Sequence, residues 1–303
     1  MCHPPILRCD RQVRLFSGGF VRYVPVLDRP MCGGCHFSCC PVPGDGLVPV
    51  SASSGGAAVL RDRHTTVGPM TTAVTSLPKP TALITGASRG LGAAIARELA
   101  PTHDLLLGAR TADSLRAVLD ELPGASAWPV ELTDYEAVAA ATEPIRRLDV
   151  LVHNAGVADL GTIAESSVGQ WRTTLEANLI AVAELTRLLL PALRAAEGHV
   201  VLINSGAGLR ANAGWGSYAA SKFGLRAFGD ALRLEEPTLR VTSVHPGRID
   251  TDMQRAIVAD EGREYRPEEF LTPETVARAV RHAVETPRDG HPTEIVLRPT
   301  PPR

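Results

Sequence analysis

From about residue 80 onward the chain alternates between two patterns. Short apolar runs such as "ALIT", "LLLG", "LVH" and "VVLIN" are separated by longer stretches in which apolar residues return every third or fourth position. The short runs predict strands at 82–85, 104–108, 127–130, 150–153, 200–204, 240–244 and 294–297. The longer stretches predict helices near 90–100, 112–121, 134–147, 168–196, 216–235 and 273–286. Strand and helix in strict alternation imply one α/β domain with a doubly wound, parallel seven-stranded sheet and helices on both faces.

Residues 1–80 break this pattern. They hold ten of the 24 prolines, together with Gly- and Ser-rich stretches such as "SASSGGAAV". Proline interrupts both helix and sheet ladders, and the segment shows no sustained period. It reads as a disordered extension over 1–78 ahead of a domain over 79–303. All six cysteines lie in the first 40 residues, four of them in "CGGCHFSCC" at 32–40. Cys32 and Cys35 have a metal-compatible spacing, and Cys39 or Cys40 could add a ligand, but no full ligand signature emerges and no metal is assigned. A disulfide knot would need an oxidising compartment, for which nothing in the sequence speaks. Met70 opens "MTTAVTSLPKPTALITG", so an alternative start there would leave 234 residues, with 1–69 dispensable.

The charge balance excludes some partners. With 31 basic and 33 acidic residues in 303, the net charge is −2, which gives no footprint for nucleic acid or an anionic membrane. No apolar run reaches the roughly 18 residues of a spanning helix, and no secretory signal is visible, so a cytoplasmic protein is expected.

The first strand runs directly into "TGASRGLG" at 85–92, which opens a helix. Gly86 permits a tight turn, Gly90 lets a ligand approach the main chain, and Gly92 allows close packing of the helix. Unpaired N–H groups and the helix dipole then favour a pyrophosphate. The second strand ends "LLLGART", with Arg110 where an acid would otherwise hold a ribose 2′-hydroxyl. Arg89 lies in the glycine loop itself. Two guanidiniums suit a 2′-phosphate, so NADP(H) is preferred and NAD(H) stays open as the second choice.

A second group of residues bears chemistry. Tyr218 and Lys222 in "YAASK" are four apart on a predicted helix and share one face. An ammonium about 4 Å from a phenol, at an effective dielectric of about 20, favours the phenolate by about 4 kcal/mol before desolvation. That would bring the tyrosine toward the working pH of a general acid–base. Ser205 stands just after the fifth strand, at the same sheet edge. His153, ending the fourth strand, reads as a packed, hydrogen-bonded histidine rather than a catalyst.

Together, "TGASRGLG", "NAG" at 154–156, Asn178 in "LEANLI", Ser205, "YAASK" and "HPGRIDT" occur in order on the expected elements. Residues 80–298 resemble the short-chain dehydrogenase/reductase family in its single-domain, Rossmann-type form. The resemblance implies that Tyr218 is the general acid in carbonyl reduction and the base in alcohol oxidation. It implies that Lys222 lowers the pKa of Tyr218 and binds the nicotinamide ribose, and that Ser205 bonds the substrate oxygen. Asn178 would hold a water linking Lys222 to solvent. Gly86, Ser88, Arg89, Gly90, Leu91, Gly92, Arg110 and Thr111 would take the phosphates and ribose. Glu131 and Leu132 would touch the adenine, and Asn154, Ala155 and Gly156 would line the adenosine side. Pro246, Gly247, Ile249 and Thr251 would surround the nicotinamide.

The expected activity is interconversion of a small-molecule carbonyl and a secondary alcohol, in a homodimer or homotetramer. Two rivals are a non-catalytic dinucleotide sensor or scaffold, and a redox- or metal-responsive protein that uses the N-terminal cysteines. His153 stands where relatives often carry Asn. The C-terminal "EIVLRPTPPR" lacks the glycine pair that often follows the last strand in relatives, which removes the usual basis for tetramer contacts at that end. Segment 252–272, with Met253, Ile257 and Val258 among many charges, is expected to cover the substrate cleft.

Overall fold

In a computed structural model of the chain, the structure describes residues 12–17, 20–25 and 79–300. The chain divides into two units, 1–71 and 72–303. In the first, β1 (Gln12–Ser17) and β2 (Phe20–Pro25) pair antiparallel, Ser17 opposite Phe20. This pair is a local exception to the reading of 1–80 as lacking strand period. Its sequence signal is a Gly-Gly pair between two runs rich in β-branched and aromatic residues, a strong short-range hairpin mark. The cysteine cluster and Met70 lie outside the described residues.

The second unit holds the predicted sheet. Its strands are β3 (Thr81–Ile84), β4 (Asp104–Ala109), β5 (Ala125–Pro129), β6 (Val150–His153), β7 (His199–Ile203), β8 (Arg240–Pro246) and β9 (Glu294–Leu297). They lie in the order β5-β4-β3-β6-β7-β8-β9, and every neighbouring pair is parallel. The chain winds outward from β3 through β4 to β5, then crosses back to β6. The order therefore reverses between β3 and β6, where ligands of such sheets bind beyond the carboxyl ends of the strands.

Alternation along the strands builds two cores. Ala82, Ile84, Leu105, Leu107, Val150, Val152 and Val201 face one side, against Ile95 and Leu99 of α1 (Gly90–Leu99), Val118 of α2 (Arg116–Glu121) and Val276 and Val280 of the last helix. Leu83, Leu151, Val200 and Leu202 face the other. There they meet Val138 of α3 (Tyr135–Thr142), Leu185, Leu189 and Leu193 of α5 (Ala181–Ala196), and Leu225 and Leu232 of α6 (Gly216–Glu235). The period of two fixes both faces at once, because a one-residue slip would exchange the two cores.

The long predicted helix over 168–196 is in fact three pieces. α4 (Val168–Leu175) passes through a π turn over Glu176–Ile180 into α5. α7 (Asp252–Asp260) was not predicted as a helix, and α8 (Pro273–Glu285) was. Side-chain caps start half of these helices: Asp134 for α3, Ser167 for α4, Thr251 for α7 and Thr272 for α8 each accept from a main-chain N–H three residues on. α1 is different. Its cap residue Arg89 offers no side-chain acceptor, and its first turn carries no acid. Among the described residues, no helix is long and apolar enough to cross a membrane.

Candidate active site

The bare N-terminus of α1 opens onto a cleft of about 1360 Å³ at the carboxyl edge of the sheet. That exceeds the roughly 300–1,000 Å³ common for one drug-sized ligand and leaves room for a dinucleotide and a second molecule.

Main chain shapes one end. Gly86 and Gly90 have φ of +65° and +55°, which side-chain-bearing residues rarely adopt. A Cβ on Gly92 would lie 2.1 Å from the Gly86 carbonyl oxygen, so the turn closes only without one. Thr85 ties this loop to the next. Its hydroxyl oxygen accepts from the main-chain N–H groups of Asn154 and Ala155 at 3.0 and 3.1 Å. The Asn154 amide nitrogen in turn donates to the carbonyls of Thr85 and Gly86 at 3.0 and 3.1 Å. The two loops either side of the switch point are thus one hydrogen-bonded unit. The role of Thr85 was invisible in sequence, because its partners lie about 70 positions away.

Side chains shape the other end. Ser205 is in extended conformation just past β7, and its hydroxyl accepts from the Ala207 N–H at 3.1 Å. The hydroxyl proton stays free to donate. The N–H of its own main chain bonds the Asn204 side-chain oxygen at 2.8 Å, and its carbonyl meets His245 Nδ1 at 3.2 Å. Tyr218 and Lys222 project from α6 into the same cleft. The Lys222 ammonium sits 5.8 Å from the centre of the Tyr218 ring and donates to the Ile203 carbonyl at 3.0 Å. Trp215 packs edge-on against Tyr218, with ring centres 5.7 Å apart, and also lines the cleft. Sequence reasoning passed over this tryptophan.

Burial raises the Tyr218 phenol above its ordinary 10, and the neighbouring Ser205 hydroxyl only partly opposes this. Lys222 makes no hydrogen bond to the phenol, and its ammonium lies 5.8 Å from the ring centre. Burial also costs Lys222 its charge more readily, bringing its pKa down to about 8.

All but two of the expected site residues line the cleft: Ser205, Tyr218, Lys222, Gly86, Ser88, Arg89, Gly90, Leu91, Arg110, Thr111, Glu131, Leu132, Asn154, Ala155, Gly156, Pro246, Gly247, Ile249 and Thr251. Gly92 lies beneath the turn it permits. Asn178 is the other exception. It is 1% exposed, its side-chain oxygen accepts from the Val157 N–H at 2.8 Å, and its amide nitrogen donates to the Val157 carbonyl and to Ser221 Oγ. Its side-chain amide is held by protein partners and fastens the Val157 loop to α6. The π turn beginning at Glu176 puts that amide in reach. Arg89 faces Asp252 at 3.5 Å across an exposed edge of the cleft. Arg110 forms no ion pair among the described residues.

His153 is a core residue, as read from sequence. Nε2 lies 2.9 Å from Thr186 Oγ1, whose own proton goes to the Val182 carbonyl, which makes Nε2–H the donor. Burial holds its pKa down to about 3.

α7 roofs the cleft with Met253, Gln254, Ile257 and nearby Glu261, while Val258 turns into the core. Asp250 anchors this roof through Arg255 at 2.9 Å and the Tyr265 hydroxyl at 2.5 Å.

Residues 80–262 match the family model described as short chain dehydrogenase. The chain belongs to the short-chain dehydrogenase/reductase family. It is 35% identical over 234 residues to glycine betaine reductase ATRR of Emericella nidulans, covering 72% of this chain but only 18% of that protein's length. It is 33% identical to the 3-oxoacyl-(acyl-carrier-protein) reductase FabG of Escherichia coli, over 59% of this chain and 78% of FabG. Among solved structures it resembles an alcohol dehydrogenase from the archaeon Thermococcus sibiricus complexed with 5-hydroxy-NADP. That match has 29% identity and a TM-score of 0.68, covering 74% of this chain and 98% of the other. Family membership makes the protein an oxidoreductase of the alcohol/carbonyl class with a dinucleotide-binding fold.

Proposed function

We propose that the protein is an NADP(H)-dependent oxidoreductase that interconverts a carbonyl and a secondary alcohol, with Tyr218 as the proton-transferring residue. The observation that carries this reading is the convergence of Ser205, Tyr218 and Lys222 on a cleft whose far end is an uncapped helix N-terminus. The glycine loop fits a pyrophosphate, because main-chain N–H groups there lack side-chain partners and Gly90 exposes main chain to the cleft. A bound nicotinamide would supply or accept the hydride.

The raised pKa keeps the Tyr218 phenol protonated at neutral pH, the form needed to deliver a proton to a carbonyl oxygen. Ser205, with its own lone pair already engaged, donates to that oxygen as charge develops on it. Lys222 holds its ammonium against the Ile203 carbonyl beneath the phenol. Arg110 carries the preference for a 2′-phosphate, since Arg89 already has a carboxylate neighbour. Asn178 acts by positioning the Val157 loop. Ile180 and Phe223, exposed by 47% and 42%, support a homodimer or homotetramer. The protein is assigned to the cytoplasm, in keeping with the absence of a spanning helix among the described residues.

A panel of ketones and aldehydes followed by NADPH absorbance, with NADH in parallel, tests the reading. Tyr218→Phe is expected to lower turnover at least about 100-fold while NADPH still binds. Near-wild-type turnover in that variant refutes the assignment.

A further inference from the structure

Four arginines line the cleft, and they fall into two pairs. Arg89 and Arg248 each hold a carboxylate, Asp252 at 3.5 Å and Glu261 at 2.8 Å. Arg110 and Arg298 hold none among the described residues. The carboxylates of the lining are all engaged, Glu131 by Thr133 and Glu176 by Tyr135 in addition to the two ion pairs. Two guanidiniums thus stay uncompensated, at opposite ends of the cleft. Arg110 follows β4 at the dinucleotide end. Arg298 follows β9 at the end where Ser205 stands.

The setting of Arg298 is specific. Nη1 donates to the carbonyls of His245 and Leu297, both at 2.8 Å, which fixes the plane of the group. The flat face of the group lies against the residue after Ser205: a Cβ on Gly206 would lie 3.4, 3.5 and 3.6 Å from Nη2, Cζ and Nη1. Nε and Nη2 retain their protons for a ligand. That edge is a two-donor fork of the kind that grips a carboxylate or phosphate. The C-terminal segment after β9 builds this feature. Pro299 packs where a side chain on Gly247 would lie, 2.7 Å from the Cβ position, and so seats the segment across the Pro246–Gly247 loop. Nearby His245 is buried and its pKa is lowered, so it does not add a second charge.

We propose that Arg298 receives an anionic group of the substrate, so that the protein acts on oxo acids or their hydroxy acids, with the anion a few bonds from the reacting carbon. The inference rests on the oxidoreductase reading and deepens it. Arg298 is a specificity-determining residue and takes no part in proton or hydride transfer.

The test compares short 2-oxo and 3-oxo acids with their methyl esters, and dihydroxyacetone phosphate with dihydroxyacetone, using NADPH. Each anion is expected to exceed its neutral partner about 10- to 100-fold in kcat/KM, the range for one charge-assisted pair. A larger ratio for the acids assigns a carboxylate, and a larger ratio for the phosphate pair assigns a phosphate. Arg298→Leu should bring the ratio close to one, chiefly through KM. Arg298→Lys should restore part of it, since charge returns without the fork. Higher salt should shrink the wild-type ratio, because the group is exposed. Calorimetric binding of butyrate and methyl butyrate to the protein–NADP complex separates two failures. Butyrate binding that is lost in Arg298→Leu, without turnover of any carbonyl, keeps Arg298 as an anion-binding residue and sinks both the carbonyl-reducing reading and the assignment of oxo acids as substrates. Equal turnover of acids and esters, or an acid preference unchanged in Arg298→Leu, overturns this inference.

Discussion

The two ends of the cleft are made of different material. At the dinucleotide end the working surface is main chain: a turn with two glycines at positive φ, a helix start without a cap, and a threonine that joins two loops. At the other end the surface is side chains, Ser205, Tyr218 and Arg298, set on a rigid sheet edge and one long helix. A main-chain site admits almost no change, because shape and stability are the same thing there. A side-chain site can lose its chemistry and keep its fold.

That contrast can be broken by experiment. Removing the proposed oxyanion donor with Ser205→Ala should cost about 100- to 1,000-fold in kcat. Its melting temperature should fall by only a few degrees, since the hydroxyl otherwise accepts one N–H. A loss of fold in this variant would erase the distinction between the ends. Gly92→Ala should do the reverse. The added methyl meets the Gly86 carbonyl at 2.1 Å, and overpacking of this kind costs about 1–3 kcal/mol. A melting-temperature drop of roughly 2–12 °C, with weakened NADPH binding, is expected.

Arg110→Ala should reduce the preference for NADPH over NADH about tenfold, one charged hydrogen bond's worth, and leave the acid-to-ester ratio untouched. The smallest effect is in the pH profile. Lys222, with its pKa lowered to about 8 by burial, is an ammonium below that pH and loses its charge above it. The kcat/KM for carbonyl reduction should therefore fall as pH rises, reaching half its plateau near pH 8 in the free enzyme. The same lowering makes the unfolded chain bind more protons than the folded one between about pH 8 and the ordinary lysine value near 10.4. Across that interval this group's contribution raises stability with pH. A profile flat from pH 7 to 9 would remove Lys222 from the chemistry.

Local pattern was enough to read most of the sheet. All seven strands lie within two residues of the runs that predicted them; the central ones do so because a buried parallel strand needs unbroken apolar sequence. The glycine loop was equally legible, since Gly86 and Gly90 answer to main-chain conformation alone. The failures share a cause. α7 mixes charges with its apolar positions in a short stretch, and Asp250, Arg255 and Tyr265, which meet across a loop, hold it in place. The π turn interrupts a continuous helical pattern with no Gly or Pro to announce it. The side-chain bonds of Asn178 to Val157 were likewise not legible, because that partner lies 21 residues away.

The chain's own sequence determined the order of strands and helices, the positive-φ glycines and the one-turn spacing of Tyr218 and Lys222, because each depends on neighbours a few residues apart. Tertiary structure alone decided which charges are already paired, that burial raises the Tyr218 phenol while Lys222 stays off it, and that Arg298 reaches back to the residue beside Ser205. Those are balances of desolvation and partner distance between segments far apart in the chain. Sequence spacing carries no record of them.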